Sequence, residues 1–295
     1  MTAQLISGTE IAKQIREELR QEIVQLNVKH NLVPGLATIL VGEDQASQVY
    51  VGQKERTAKE LGIYSERHDL PASLAEEDLL SLIDRLNKDI RIHGILVQLP
   101  LPRHINETNV IYAINPKKDV DGFHPVNVGK LMIGEPDFLP CTPHGIQQML
   151  IRTGVEIEGA EVVVVGRSNI VGKPIANILL QKAKGANATV TVCHTATRDL
   201  AFHTRRADIL IVAAGRPKAI TADMVREGVV VIDVGIHRIG KSASGKDILV
   251  GDVDFDAVKE KAKAITPVPG GVGPMTITML MLNTVKAAKL AAGLV

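Results

Sequence analysis

Apolar residues recur along this chain with two different periods, and the alternation of those periods predicts its architecture. Ile11, Ile15, Leu19, Ile23 and Leu26 fall at three- and four-residue spacing, so residues 8–29 read as an amphipathic helix. Residues 35–41 form a short unbroken apolar run after Pro34, as in a strand covered on both faces. Residues 46–61 read as a helix stopped by Gly62, and residues 63–70 alternate like a strand. Residues 76–88 set Leu79, Leu82, Ile83 and Leu86 on one helical side. Residues 94–98 are a further apolar strand, closed by the proline turn at 99–102, and residues 116–143 show little regular periodicity and read as loop-rich.

From Pro143 the pattern restarts. A helix to Thr153 leads to a strand of four valines ending at Gly166, then to strands over 189–193, 209–213 and 229–234 with helical stretches between. Crossovers of that length predict parallel βαβ units. A Met- and Leu-rich helix over 276–292 follows the Gly/Pro-dense segment ITPVPGGVGP, which reads as an inter-domain crossing. The predicted fold class is α/β, with two open α/β domains and a cleft between them. The first takes residues 1–140 plus 275–295; the second, 141–274, is a Rossmann-like doubly wound parallel sheet. A chain of 295 residues is near the size at which single cores divide, and no internal repeat is visible.

Composition narrows the function classes. Apolar residues make up 45% but aromatics only 2%, so Val, Ile, Leu, Ala and Met must build the cores, which suits covered parallel sheets. The formal charge is +1 with no long block of one sign, which argues against nucleic acid or a membrane surface as partner. Cys141 and Cys193, the two cysteines, are too few for a disulfide framework and suit a reducing cytosol. No run of 18 apolar residues and no secretory core is present, so a soluble, cytoplasmic protein is expected.

Candidate chemistry begins at the valine strand. A buried strand, a Gly-bounded loop from Gly166 to Gly172 and a helix opening near Pro174 suggest a phosphate cradle at a helix N-terminus. The spacing is not that of a P-loop: five residues separate the glycines, and Pro174 stands where a magnesium-binding Ser/Thr would be. Ser168 occupies the second glycine position of the dinucleotide fingerprint, so a ligand-free strand-to-helix turn stays open. The next strand ends Cys193-His194-Thr195 without the carboxylate that would bond the NAD ribose, which favours NADP. Arg167, Thr195 and Arg198 are candidate donors to its extra phosphate, whereas His194 reads as a packed or solvated histidine.

The first half offers a second set of polar residues. Tyr50 and Lys54 share a helix face one turn apart, as a stacking ring beside a proton-transfer amine or as a half-buried tyrosine beside a solvated lysine. Gln98 ends an apolar strand where open α/β sheets bind ligands. Asp121 lies in the charged loop KKDVDGFHP, either as an anchor for an aminopyrimidine edge or as a loop cap. Asp119 and His124 lack a third partner at suitable spacing, so a metal is not expected.

Five motifs occur in order: Tyr50-Val51-x-x-Lys54, residues 94–102 (GILVQLPLP), residues 118–122 (KDVDG), residues 166–172 (GRSNIVG) and residues 267–276 (PVPGGVGPMT). Together they resemble the bifunctional methylenetetrahydrofolate dehydrogenase/cyclohydrolase family over essentially the whole chain. The family's longer relatives carry a formyltetrahydrofolate synthetase domain that 295 residues cannot hold. Arg56 and Thr195 stand where the family often has lysine and serine. The resemblance implies NADP-dependent oxidation of 5,10-methylenetetrahydrofolate to the methenyl cation and hydrolysis to 10-formyltetrahydrofolate. It implies Lys54 as acid/base, tuned by Gln98, with Asp121 anchoring the pterin and Tyr50 stacking on the folate. Gly273 and Pro274 would line the folate site, and Gly166, Arg167, Ser168, Thr195 and the Ile236 backbone would hold NADP. It implies tetrahydrofolate derivatives as partners and a homodimer. Another NADP-linked two-domain dehydrogenase of a small hydroxy or keto substrate, or a nucleotide-sensing module, are the alternatives. An amine of Lys54 lying in bulk water would dismiss the reading.

Overall fold

The computed structural model describes residues 3–242, 245 and 247–295. In chain order the elements are β1 (Gln4–Leu5), α1 (Gly8–His30), β2 (Gly35–Val41), α2 (Gln45–Leu61), β3 (Tyr64–Leu70), α3 (Glu76–Lys88) and β4 (Gly94–Val97). Then come α4 (Glu107–Ala113), α5 (Pro125–Met132), α6 (Cys141–Arg152), β5 (Glu161–Val165), α7 (Gly172–Leu180), β6 (Thr189–Cys193), α8 (Leu200–Thr204) and β7 (Ile209–Val212). The chain closes with β8 (Val230–Asp233), β9 (His237–Lys241), β10 (Asp247–Val250), α9 (Phe255–Val258), β11 (Ala264–Ile265) and α10 (Val272–Ala291). The chain divides into two compact units, one of Gln14–Cys141 and Ile277–Val295, the other of Met1–Lys13 and Thr142–Thr276.

In the first of these units a parallel sheet runs in the order β3-β2-β4. Strand β2 is buried along its whole length, as its unbroken apolar run requires at the centre of a covered sheet. Strand β3 is one edge, and its polar side chains pair along it, Arg67 with Asp69 in an ion pair and His68 with Glu66 in a hydrogen bond, which blunts that edge against further pairing. Leu79, Ile83 and Leu86 of α3 pack on Ile39, Ile95 and Val97.

The other unit carries a six-stranded parallel sheet in the order β1-β11-β8-β7-β5-β6. From β5 the chain steps outward to β6 and returns past it to β7, so the direction of winding reverses at β5. This is the doubly wound arrangement, and the reversal sets a ligand crevice at the C-terminal end of β5. Strands β7 and β8 are buried throughout, as is β5 after its first residue.

Four features differ from the sequence reading. Residues 1–13 fall with Thr142–Thr276 rather than with the first half, because Gln4–Leu5 pairs in parallel with Ala264–Ile265. The segment read as loop-rich over 116–143 contains α5, with Pro125 in its first turn and His124 accepting the Val126 N–H at 3.1 Å. The antiparallel pair β9–β10 is short and largely exposed, and its apolar run is only three residues, Ile248 to Val250, too short to announce it. Helix α10 starts at Val272 rather than at 276, so Gly273 and Pro274 lie in its first turn rather than ahead of it. A proline there loses no helical hydrogen bond.

Candidate functional site

Helix α2 is fixed at both ends. The Asp44 carboxylate accepts the Ser47 N–H at 2.8 Å, and Gly62 closes the C-terminus. Its buried stripe runs Ser47, Val51, Lys54, Ala58 and Leu61, so Lys54 occupies a core position of an amphipathic helix. The residue is only 8% exposed, far from the solvated lysine that the segment alone allowed. Tyr50, one turn earlier, is half-buried.

The Lys54 Nζ donates to Gln98 Oε1 at 2.8 Å, and Gln98 Nε2 donates to Leu99 O at 2.7 Å. With its NH2 committed to Leu99, Gln98 presents a carbonyl to the lysine. That carbonyl accepts from either protonation state of the amine and does not itself demand a charge. Gln98 is placed by β4, its N–H donating to Ile39 O at 2.9 Å.

Burial lowers the Lys54 pKa from the ordinary lysine range, opposed in part by the negative potential of Asp121. Burial likewise raises the Asp121 carboxyl, with Lys54 opposing and Asp119 adding to the effect. The Cys141 thiol is driven well above its usual value by burial and by Asp121, and it donates to Val120 O at 3.3 Å. It is a protonated structural thiol, not a nucleophile. Asn283, on the buried side of α10, donates to Val120 O at 2.7 Å and Leu139 O at 2.9 Å, which steadies the backbone on either side of Asp121 and Cys141.

The charged loop divides its labour among its residues. Lys118 Nζ donates to Leu86 O and Asp89 O, capping the C-terminus of α3. The Asp119 carboxylate accepts from the Phe123 and His124 amides and from Asn127 Nδ2 at 2.7–3.2 Å. Asp119 and His124 therefore shape the loop, and the half-buried Asp121 is left facing the lysine's charge. Among the described residues no group of His, Cys, Asp and Glu is arranged to hold a metal ion.

At the end of β5, Gly166 has φ of 128°, and a Cβ there would lie 2.2 Å from Ala213 O. A Cβ on Gly172 would lie 2.1 Å from Gly166 O. The loop can thus fold flat only with both glycines. The amides of α7 are not offered outward as the sequence suggested. Ser168 Oγ accepts from Val171 and Gly172, Ser168 O accepts from Lys173, and Pro174 has no N–H. What the loop presents outward is the exposed side chains of Arg167, Ser168, Asn169 and Ile170.

The register Val165↔Cys193 sets Gly166-Arg167 and His194-Thr195 at adjacent strand ends. Thr195 and Arg198 are exposed there, with no carboxylate at the end of β6, and His194 Nδ1 accepts the Ala196 N–H within its own turn. Ile236, after β8, is 50% exposed at the same edge of the sheet. A cradle closed by two glycines, flanked by cationic and hydroxyl donors and by an uncovered apolar residue, fits a phosphorylated dinucleotide. A cavity of about 340 Å³ opens at the opposite, N-terminal edge of this sheet, among Glu156, Asp208, Arg226 and Lys263, where parallel α/β sheets do not place their cofactors.

The double glycine before α10 admits the protein's own backbone. A Cβ on Gly8 would lie 1.8 Å from Gly271 O, and the Thr9 N–H donates to Gly270 O at 3.1 Å.

Sequence reasoning missed Asp233 and Asp252, two carboxylates buried at the C-terminal ends of β8 and β10. The signal was a glycine beside each, Gly235 and Gly251. A Cβ on Gly251 would lie 1.9 Å from Asp233 Oδ2. Burial raises the Asp233 pKa to about 6. The folded state therefore holds this proton more tightly than the unfolded chain, so the group's stabilisation is complete below about pH 4 and is lost as pH rises through about 6. Relative to Asp233→Asn, the wild type should lose about 3 kcal/mol between those limits, readable as diverging denaturation midpoints. Parallel pH profiles would show that Asp233 titrates normally.

Residues 140–292 match the family described as "Tetrahydrofolate dehydrogenase/cyclohydrolase, NAD(P)-binding domain", and residues 6–121 match its "catalytic domain". The chain is 68% identical over 294 residues to the "Bifunctional protein FolD" of Syntrophus aciditrophicus, covering 100% of both. Among solved structures it is similar to the bifunctional enzyme FolD from Campylobacter jejuni, with a TM-score of 0.91, 49% identity and coverage of 98% of this chain and 99% of that one. It is also similar to the Trypanosoma brucei methylenetetrahydrofolate dehydrogenase-cyclohydrolase complexed with NADP cofactor and inhibitor, with a TM-score of 0.93, 40% identity and coverage of 99% of each chain.

Proposed function

The chain belongs to the tetrahydrofolate dehydrogenase/cyclohydrolase family, and from that premise we propose how its own residues divide the two reactions. The enzyme oxidises 5,10-methylenetetrahydrofolate to the methenyl cation with NADP and hydrolyses that cation to 10-formyltetrahydrofolate. The observation that carries the assignment of roles is the buried Lys54 amine, oriented by Gln98 and deprived of solvation.

An ammonium beside a cationic substrate would be repelled, and a neutral amine is not. As water adds to the methenyl carbon, Lys54 Nζ takes one of its protons. Lys54 then returns that proton to N5 as the carbon–N5 bond breaks, and the remaining hydroxyl proton leaves to solvent as the formyl C=O forms. Gln98 holds the amine through both transfers. Asp121 accepts N–H bonds from the aminopyrimidine edge of the pterin, Tyr50 stacks on the folate, and Gly273 and Pro274 line the folate site at the start of α10. NADP, when bound, supplies the hydride acceptor. Gly166, Arg167, Ser168, Thr195 and the backbone of Ile236 hold it, and the protein's task in that step is alignment.

Following NADPH formation from methylenetetrahydrofolate, and separately the disappearance of added methenyltetrahydrofolate, tests the function directly. Absence of both in folded protein would refute it. Arg167→Ala is expected to lower kcat/KM for NADP by about tenfold or more while leaving NAD nearly unchanged, the effect of one lost charge-assisted bond to the 2′-phosphate. Equal losses with both nucleotides would remove Arg167 from that contact. We also propose a cytoplasmic homodimer, which the family resemblance supports and light scattering in solution tests. No described helix is long and apolar enough to cross a membrane.

A further inference from the structure

Two turns form the C-terminal edge of the six-stranded sheet on the far side of β5 from β6: Ala213–Gly215 after β7, and Val234–Ile236 after β8. Asp252 joins them. It is 0% exposed; its Oδ2 accepts the Ala214 N–H at 2.6 Å and the Gly215 N–H at 3.0 Å, and its Oδ1 lies 2.7 Å from His237 Nε2. One carboxylate thus reaches the turn after β7 and the residue that ends the turn after β8.

The surroundings are built to fit that carboxylate. A Cβ on Gly235 would lie 2.4 Å from Asp252 Oδ1, so the second turn passes against it with no side chain between. Asp233 fixes the segment from beneath, accepting the Gly235 and Asp252 amides on Oδ1 and the Val253 amide on Oδ2 at 2.9–3.0 Å. The clamped β7 turn is also the wall of the nucleotide loop, since Ala213 O is the atom that a Cβ on Gly166 would strike. Between the tethered Gly235 and His237 stands the uncovered Ile236.

A carboxylate removed from water is costly, and hydrogen bonds to backbone amides and an imidazole offset the cost only in a fixed geometry. The geometry fixed here is that of the two turns flanking the nucleotide crevice on its β7–β8 side, where a dinucleotide spanning the switch point lays the half that does not lie over β6. Nothing in the hydrolytic step uses these residues. We infer that Asp252, with His237, is a positioning residue for the nicotinamide half of the dinucleotide, holding the β7 and β8 turns in register for hydride transfer; the inference rests on the dehydrogenase reading above.

The test compares wild type, Asp252→Ala, Asp252→Asn and His237→Ala in four measurements: NADPH binding by its own fluorescence, binding of 2′,5′-ADP by competition, dehydrogenase kinetics, and hydrolysis of methenyltetrahydrofolate without nucleotide. Misplacing turns by about an ångström should lower dehydrogenase kcat about 100-fold in Asp252→Ala and weaken NADPH about tenfold. Binding of 2′,5′-ADP, which lacks the nicotinamide half, and hydrolysis should stay within about twofold of wild type, because neither draws on these turns. Asp252→Asn, which keeps an acceptor for the amides, should recover part of the loss. His237→Ala, at a partly exposed position, should show the same split more weakly. Parallel loss of NADPH binding, 2′,5′-ADP binding and hydrolysis would reduce Asp252 to a fold-holding residue and overturn the inference, as would no change in any of them. A wild type without either activity would instead sink the functional reading, and the NADPH against 2′,5′-ADP split alone would then decide this inference.

Discussion

Methionine at position 54 is expected to reduce methenyl hydrolysis by about a thousandfold or more, the upper range for removing a general acid/base, while leaving part of the dehydrogenase. Position 54 lies in the buried stripe of α2 between Val51 and Ala58, and an unbranched apolar side chain of similar length suits it. Two stability effects oppose each other: methionine relieves the desolvation of a buried amine and strands Gln98 Oε1, which costs about 1–3 kcal/mol. The net change near neutral pH should be small. Its pH dependence has a definite sign. Burial depresses the Lys54 pKa in the fold, so the unfolded chain binds the proton more tightly and the wild type gains stability relative to the variant as pH rises toward the ordinary lysine value of 10.5. The wild-type hydrolysis rate should also climb with pH as the amine deprotonates, and that limb should vanish in the variant. Hydride transfer asks mainly for alignment, so Lys54→Met separates the two activities. Hydrolysis at the wild-type rate in the variant would strip Lys54 of its role.

The burial of Lys54 was not legible in its own segment, which also allowed a solvated lysine. The structure shows the core stripe of Ser47, Val51, Ala58 and Leu61, whose spacing includes position 54, and a charged residue on such a stripe is anomalous. Reading Tyr50 and Lys54 as a pair on one face did not reveal which of the two was the more buried. Gln98 was legible as a polar residue ending an apolar strand. The loop carrying Asp119 and Asp121 was not separable by pattern. Which carboxylate closes the loop and which faces the lysine depends on Asn127 on α5, a helix without a clear period, and on contacts from Asn283, distant in sequence. Strands of two residues, such as β1 and β11, are too short to carry a period at all, which is why the division of the chain near its N-terminus escaped notice. Asp252 in the run GDVDF reads as an ordinary turn residue. Its burial arises from Ala214 and Gly215, nearly forty residues earlier. Local pattern thus located the strand ends, while the polar clamps between those ends are non-local and became visible only in three dimensions.

Alanine at Gly166 is expected to abolish NADPH binding, raising its Kd by at least about 100-fold, and to destabilise the unit of Thr142–Thr276 by about 3–4 kcal/mol. Two separate costs add at this position. The backbone sits at φ of 128°, which a side-chain-bearing residue rarely adopts. The added Cβ would also meet Ala213 O at 2.2 Å and Ala213 C at 2.9 Å, both backbone atoms of a strand end that cannot rotate away. The Gly166 N–H is anchored to Cys193 O at 2.8 Å, so the loop cannot swing clear without breaking its tie to β6. Gly159 supplies the control, because it shares a positive φ of 72° but has nothing within 4 Å of its Cβ position and lies before β5. Gly159→Ala should therefore cost only about 1–2 kcal/mol, the penalty of the left-handed backbone, and should bind NADPH normally. The difference between the two variants measures the close approach together with the costlier backbone at φ of 128°, the two features that shape the nucleotide loop. Equal denaturation midpoints and equal NADPH affinity in the two would mean that the contact between Gly166 and Ala213 does not govern the site.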